Sequence, residues 1–426
     1  MVALEHRIIG LLADGRRVIG AGMLLRLIRC CHIRSVASFA QVVPAFYVGT
    51  QMSPYRAGRG TCGDAGRRGY WGSQLVRHTI DMQFLTRAFH EPGGLRYHGG
   101  AVAYVVLGYA LGGYGIFQQS WIINAFATVW LAHAMTIAAY LIHECGHNTV
   151  FRANAANARL GRFLNWICGS AYGTYEDIRY KHFRHHVDND DSVWFEYDPF
   201  FRRHPVLTRC VQFLEWFYIP AHELVMHFIM TFTAFIVPNR RAQRLRNVRV
   251  ILIRGGIFFT VLWFAPRAAM LYAVAYLLMM HLLRFMDSLQ HDYGANPTLF
   301  VENPPSRFGG RATEQAHTFS NPLSLRYEKA NWLTLNFGFH NAHHSRPTLP
   351  WYKLPAHHRE RFGTDPMQVI PLATQLRIYH KYRVVRVLHE GGEFDDRRKP
   401  MAQEYLAAVH AGEVYGGNAV SFLIAF

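Results

Sequence analysis

The chain has 426 residues, half of them hydrophobic, and a formal net charge of +17 from 45 Lys and Arg against 28 Asp and Glu. This length has room for one large or two ordinary domains. The six cysteines show no C-x-x-C spacing, which argues against a zinc ribbon and against a disulfide scaffold. The basic residues flank apolar runs instead of forming a domain of their own. We therefore expect no nucleic-acid partner and attribute the charge to contact with anionic lipid headgroups.

Residues 1–75 differ from the rest of the chain because they are rich in Arg, Gly and Ala and poor in acidic residues. Such a composition is typical of a targeting segment or of a poorly ordered basic arm. An over-extended start is the other interpretation, with Met52 or Met82 as the true first residue. We assign the arm no function. We expect a membrane domain over residues 76–395 and a C-terminal tail over residues 396–426.

Two apolar regions predict membrane crossings. Residues 101–142 carry no formal charge, and residues 250–285 carry only arginines as charged residues. A helix needs about 20 apolar residues to cross a bilayer, so each region has room for two crossings. We predict an all-α integral membrane fold with four transmembrane helices in two hairpins, over residues 101–117 and 121–142 and then 250–265 and 268–286. Buried helices of a soluble protein are the alternative, but they rarely give so long an uncharged run.

The charges around these regions predict the orientation of the chain. The turns inside the two hairpins, "FQQS" and "APRA", hold one arginine between them, whereas basic segments such as "NRRAQRLRNVR" lie on the opposite side. This pattern matches the positive-inside rule and puts those segments in the cytoplasm. The apolar segment 220–238 is short and bounded by prolines, so we predict a helix in the membrane interface. Because the sequence shows no typical signal peptide, we expect a bacterial inner membrane.

Three histidine clusters, or boxes, stand on the predicted cytoplasmic side: "HECGH", "HFRHH" and "HNAHH". In the first box, two histidines four residues apart share one helix face, where both can reach a common metal ion. The other two boxes share the pattern H-x-x-H-H. There we expect residues i and i+3 to share a face and the i+4 histidine to reach a second metal ion. The eight box histidines are His143, His147, His182, His185, His186, His340, His343 and His344.

The first box also matches H-E-x-x-H, the zinc-protease signature in which Glu144 would be the general base. A catalytic zinc takes three protein ligands and a water molecule. A zinc site on His143 and His147 would leave both H-x-x-H-H boxes without a role. We keep a membrane zinc metalloprotease as the remote alternative.

Longer stretches around the boxes resemble the membrane fatty acid desaturase and hydroxylase superfamily: "FMDSLQHDYG", "HTFSN" and "LNFGFHNAHHSRPTLPWYKLP". The likeness covers residues 99–388 and implies a four-span bundle with a cytosolic, histidine-rich di-iron cap. In this family a further histidine at the cytosolic end of the fourth span completes the iron shell. The resemblance transfers that role to His291, with His317 as the weaker rival. In some members of the family, an asparagine at the position of Asp287 contacts an iron ion through a water molecule.

The resemblance implies an oxygen-dependent fatty acyl desaturase in which the eight box histidines and His291 bind two iron ions. O2 would be the co-substrate, and a separate ferredoxin or haem carrier would donate the electrons. The substrate would be a fatty acyl lipid, an acyl-CoA or an acyl-carrier protein, and its chain would enter from the lipid bilayer. A di-iron hydroxylase or ketolase that acts on a lipid or a carotenoid uses the same site and is the nearer alternative. We expect no catalytic residue beyond the metal centre.

An imidazole that binds a metal ion through one nitrogen usually donates from the other nitrogen to a carboxylate, which fixes its tautomer. Imidazole is also a ligand that suits iron. The acidic residues near the boxes are the candidates for this orienting role: Glu144, Asp177, Asp188, Asp190, Asp191 and Asp287.

Overall fold

The computed structural model describes residues 86–169, 173–189, 197–291, 310–363, 368–385 and 402–414, all within one unit, Asp81–Phe426. These residues form helices, with three isolated β-bridges and no β-strand among them. The prediction of an all-α fold is confirmed for the described residues. The predicted N-terminal arm, residues 1–75, lies outside the described residues.

The first predicted hairpin is a helix pair, α1 (Gly94–Gly115) and α2 (Trp121–Gly146). α2 is long and apolar enough to cross a membrane. α1 has 22 residues, but its many glycines and its polar residues lower its mean hydropathy. It is therefore not among the helices that are apolar enough to cross a membrane. The crossing at residues 101–117 therefore stays a prediction.

Small residues let α1 and α2 approach closely. A Cβ atom on Gly108 would lie 2.9 Å from Cβ of Ala134, and one on Gly115 would lie 2.5 Å from Cβ of Ala127. Later positions on α1 thus meet earlier positions on α2, so the two helices run antiparallel. Close backbone approach through small residues is the usual way in which helices associate where lipid removes the hydrophobic driving force.

Five helices lie between the two predicted hairpins: α3 (Asn154–Ile167), α4 (Tyr175–Asp188), α5 (Tyr197–Arg203), α6 (Pro205–Trp216) and α7 (Ala221–Ile236). α7 coincides with the segment predicted to lie in the membrane interface. Its 16 residues are fewer than the about 20 that a crossing needs.

The second hairpin begins earlier than predicted. One helical stretch combines a 3-10 turn (Pro238–Gln243), α8 (Arg244–Val250), a π-turn (Ile251–Gly255) and α9 (Gly256–Phe264). α10 (Pro266–Asp287) follows directly, and both Pro238–Phe264 and α10 are long and apolar enough to cross a membrane. The predicted start at residue 250 is late because arginines interrupt the apolar pattern before it, although arginine is a good helix former. Among the described residues, three of the four predicted crossings thus coincide with a helix that is long and apolar enough to cross a membrane.

The turns of the two hairpins lie together. A terminal nitrogen of Arg267 donates a hydrogen bond to the Gln118 carbonyl oxygen at 2.6 Å, and the guanidinium lies over the Trp121 ring. α10 also packs against α2. The opposite ends of α2 and α10 therefore lie near each other, and each leads into candidate metal ligands.

The C-terminal third contributes short helices and two 3-10 turns: α11 (Arg311–Ala316), Glu328–Thr334, α12 (His340–Ser345), Trp351–Lys353, α13 (Leu354–Phe362), α14 (Leu372–Lys381) and α15 (Ala402–Ala411). α15 belongs to the region predicted as a tail. Its Tyr405, Leu406 and Val409 are buried in one apolar cluster with Leu289 and Phe319. Part of that region therefore packs directly behind the residues that follow α10.

A buried ion cluster joins α6, α7 and α10. The Arg284 guanidinium donates to the two carboxylate oxygens of Glu215 at 3.0 and 2.7 Å, and to Oε2 of Glu223 at 2.7 Å. One arginine faces two carboxylates here. Burial raises the pKa of Glu223 to about 7. Burial acts on Glu215 in the same way, but the Arg284 charge together with hydrogen bonds from Arg284 and from the His222 backbone N–H outweighs it and lowers the pKa of Glu215.

We expect Gly108→Ala to destabilise the α1–α2 pair by about 1–3 kcal/mol, because the new methyl group overlaps Ala134. Gly113 is the matched control, since a Cβ atom there meets nothing within 4 Å. Gly113→Ala should leave stability unchanged or raise it slightly through helix propensity. Thermal unfolding in detergent measures both variants, and equal melting temperatures for Gly108→Ala and the wild type would contradict this packing.

The raised pKa of Glu223 predicts a stability that depends on pH. The folded state holds the proton more tightly than the unfolded state, where the pKa is near its ordinary 4.5. This stabilisation is therefore full below about pH 4.5 and is lost as the pH rises to about 7. We expect Glu223→Gln to remove this contribution, so that the melting temperature of the variant rises relative to that of the wild type across that window. Glu176→Gln, at an exposed glutamate, should keep the wild-type slope, and identical slopes for all three proteins would refute the assignment.

Candidate metal centre

Four elements carry the candidate ligands. α2 has His143 in its last turn and His147 at its C-cap. α4 holds the second box. The hydroxyl of its N-cap residue Thr174 accepts a hydrogen bond from the Asp177 backbone N–H at 3.0 Å, and its C-cap residue Asn189 has φ 58°, in the left-handed region. α12 is itself the third box, and His291 follows the end of α10. All nine histidines are buried.

The nine histidines form two groups, and within each group the ligand nitrogens lie within 4.8 Å of one another. Each H-x-x-H-H box contributes to both groups. Metal group one consists of His143, His147, His182, His186 and His343, and metal group two of His185, His291, His340 and His344.

The division within the boxes differs from the prediction. His182 and His186, at i and i+4, share group one with ring centroids 4.5 Å apart, whereas His185, at i+3, is 6.0 Å from His182 and belongs to group two. The third box divides in the same way. A helix turns by about 100° per residue, so i+4 lies about 40° from i on one side and i+3 about 60° on the other. The expectation that i and i+3 share a metal ion was therefore wrong.

The distances between ring nitrogens fit metal ligands. In group one, Nε2 of His186 lies 3.1 Å from Nε2 of His182 and 3.0 Å from Nε2 of His343. In group two, the corresponding distances are 2.7, 3.1 and 3.2 Å. Two ligands at right angles on a metal ion with bonds of about 2.1 Å lie about 3 Å apart. A neutral imidazole has one N–H, so facing Nε2 atoms cannot all be satisfied by hydrogen bonds, whereas a shared cation satisfies them.

The protonation state also fits a metal centre. Burial, followed by repulsion from neighbouring imidazoles, lowers the pKa of these histidines well below the usual value. The neutral imidazole is the form that binds a metal ion, and it suits iron. The lowered pKa holds for His147, His182, His186, His291, His340, His343 and His344.

Glu144 lies behind the first box. Its Oε1 is 3.7 Å from Nδ1 of His143, and its Oε2 accepts hydrogen bonds from the Thr149 hydroxyl at 2.6 Å and from the Trp351 backbone N–H at 3.2 Å. This position suits a residue that orients His143. It does not suit the general base of a zinc protease, because the protein's own donors already occupy the carboxylate.

Glu314 on α11 is a site residue that the sequence analysis missed. Its Oε1 accepts a hydrogen bond from Nδ1 of His344 at 2.8 Å and lies 3.8 Å from Nδ1 of His186. One carboxylate therefore faces a histidine of each metal group from behind. Glu314 lies shortly before "HTFSN", one of the segments that resemble the family, and this position is the sequence feature that could have identified it.

A β-bridge holds His291 in place. His291 bridges to Thr318, whose hydroxyl oxygen lies 3.3 Å from His291 Nδ1, and the Tyr405 hydroxyl donates to the His291 carbonyl oxygen at 3.3 Å. Nε2 of His291 lies 2.7 Å from Nε2 of His340, inside group two. The rival His317 belongs to neither group among the described residues.

Two other acidic candidates form ion pairs. Asp177 contacts Arg240 and accepts a hydrogen bond from Gln243 Nε2 at 2.9 Å, so it fastens α4 to the 3-10 turn before α8 instead of orienting a box histidine. Asp188 pairs with Arg184 on the same helix. Of the remaining candidates, Asp287 is buried at the end of α10, and Asp190 and Asp191 lie outside the described residues.

We expect Glu314→Gln to weaken metal binding by about 10–100-fold, because the amide orients Nδ1 of His344 less well than a carboxylate does. Glu144→Gln should also weaken metal retention and should not change any hydrolytic activity. Glu360→Gln, at an exposed glutamate on α13, is the control. The metal content that remains after stepwise chelation is measured for all three variants. Equal metal retention by Glu314→Gln and the control would contradict the orienting role of Glu314.

Comparison with known proteins gives the family. The family model described as "Fatty acid desaturase" matches residues 119–375, more than half of the chain. The chain is also similar to the fatty acid desaturase of Bacillus subtilis (strain 168), with 21% identity over 277 residues, which cover 60% of this chain and 72% of that protein. All nine histidines of the two metal groups fall within the matched residues. The chain belongs to the fatty acid desaturase family.

Proposed function

We propose that this protein is an oxygen-dependent fatty acyl desaturase with two iron ions, one in each histidine group. The observation that carries the proposal is the pair of buried histidine groups, in a chain of the fatty acid desaturase family. Bound iron would activate O2 and so supply the oxidant that hydrogen removal from an unactivated methylene requires.

The overall reaction balances with electrons from outside the chain. One hydrogen leaves each of two adjacent methylenes, and a double bond remains. O2 takes up these two hydrogens together with two electrons and two protons, and two water molecules form. A ferredoxin or a haem carrier would donate the electrons, and an acidic carrier would suit the basic chain.

The chain's own residues orient the ligands and exclude water. Glu144 and Glu314 lie behind imidazoles of the two groups and fix their tautomers. Apolar side chains line a cavity that reaches His143 and His343, so a hydrocarbon would find a dry surface beside group one. These apolar lining residues are Tyr140, Leu335, Phe337 and Leu354.

We further propose that the protein crosses a bacterial inner membrane several times, with the histidine boxes in the cytoplasm. Three helices are long and apolar enough for crossings. The hairpin turns lie together through Arg267, and the opposite ends of α2 and α10 both lead into the metal groups. The substrate would then be a membrane lipid, or an acyl-CoA or acyl-carrier protein that binds from the cytoplasm.

Hydroxylation or ketone formation on a lipid or a carotenoid is the nearer alternative, because the same histidine groups serve both outcomes. Proteolysis fits less well, since group one alone offers five histidines while a catalytic zinc takes three protein ligands.

Expression in a bacterium without a desaturase of its own, followed by mass spectrometry of the lipids, tests the proposal. We expect acyl chains that have lost two hydrogens, and about two iron ions per purified chain. His343→Ala removes a nitrogen from group one and should abolish the product and lower the iron content. His410→Ala, at an exposed histidine on α15, should keep both.

Two outcomes would contradict this function. Lipids that gain oxygen without losing hydrogens would identify a hydroxylase. Purified protein with one zinc ion and no iron would refute the oxidase.

A further inference from the structure

The cavity beside metal group one is small. Its walls combine apolar surface from Tyr140, Leu335, Phe337 and Leu354 with the polar residues His143, Glu144 and His343. Its volume is about 10 Å³, room for about one water molecule. An acyl chain that reaches the histidines must therefore share this space with the wall side chains, and their shapes decide how far it can advance.

Phe337 is the wall residue that touches both metal groups. Its ring centroid lies 5.6 Å from that of His143 in group one and 5.4 Å from that of His340 in group two. The ring also packs against Tyr140, with the ring centroids 4.7 Å apart. The Phe337 ring therefore lines the cavity at group one and contacts a histidine of each group.

The backbone before Phe337 adopts a conformation that a leucine rarely adopts. Leu335 has φ 45° and Asn336 has φ 57°, both in the left-handed region. Asparagine tolerates this region, but for a bulky side chain it is an outlier. Such strain persists where the surroundings impose it, and it is concentrated at functional sites. Here it directs Leu335 and Phe337 into the same cavity.

Hydrogen bonds hold this turn in place. The Asn336 backbone N–H donates to the Asn331 carbonyl oxygen at 2.8 Å, and the Asn336 side-chain amide donates to the Trp351 carbonyl oxygen at 3.0 Å. The backbone N–H of Trp351 in turn donates to Glu144, the carboxylate behind His143. The turn is therefore fixed relative to metal group one.

We propose that Phe337, held by the strained Leu335–Asn336 turn against a histidine of each metal group, determines which methylene pair of the acyl chain is desaturated. The inference rests on the proposed desaturase function. A smaller side chain at this position lets the acyl chain settle at a different depth, so the double bond forms at a different carbon.

The test compares Phe337→Leu with Phe339→Leu in the same lipid-profiling host. Phe339 is the matched control, because it is buried two residues further on but packs against His358, outside both groups. We expect Phe337→Leu to raise the share of double-bond positional isomers that are minor in the wild type by at least about tenfold, which corresponds to about 1.4 kcal/mol between competing positions. Phe339→Leu should keep the wild-type isomer ratio, even if the total yield falls.

Iron content separates specificity from folding. Phe337→Leu should retain iron. If this variant loses iron, Phe337→Met takes its place in the comparison, because the methionine side chain is closer in volume to phenylalanine. An unchanged isomer ratio in an iron-loaded Phe337 variant overturns the inference. A wild type that forms no double bond overturns the proposed function instead, so the two failures are distinct.

Discussion

Nine buried imidazoles that point their Nε2 atoms at one another form the constraint on which the rest of the structure depends. Burial and mutual repulsion lower the pKa of seven of these histidines, and neutral imidazoles in contact leave lone pairs that face each other. A cation in each group satisfies that arrangement. The protein must therefore bring four separate stretches of chain to one place and hold them rigidly enough for metal ions to bind.

The helices meet this requirement from both ends. Arg267 ties the turns of the two hairpins together at one end, so that the ends of α2 and α10 come together at the other. There, Glu144 and Glu314 lie behind imidazoles of the two groups, and Thr318 with Tyr405 holds the segment after α10. Apolar residues on α2 and around the third box supply the hydrocarbon surface next to the metal groups. Metal binding and substrate binding thus depend on the same few segments.

Local patterns in the sequence predict much of this arrangement. Histidine spacing identifies the candidate ligands, and apolar runs locate α2, α9 and α10. The sequence does not show which residues that are distant along the chain become neighbours in the folded protein. Glu314 is far from every box along the chain and meets His344 only after folding. Asp177 lies near a box in sequence, yet it faces Arg240 and Gln243. The assignment of histidines to groups failed for a different reason, because the i+3 and i+4 positions differ only by a modest angle on the helix.

The way the second and third boxes are shared between the groups has a mechanical consequence. α4 places His182 and His186 in one group and His185 in the other, and α12 divides its three histidines in the same manner. The rise and turn within α4 and within α12 therefore link the two metal positions, while α2 supplies ligands to group one alone and His291 to group two alone. In a bilayer of different thickness, a tilt of α2 would therefore act on metal group one directly and on metal group two through the histidines that α4 and α12 share between them.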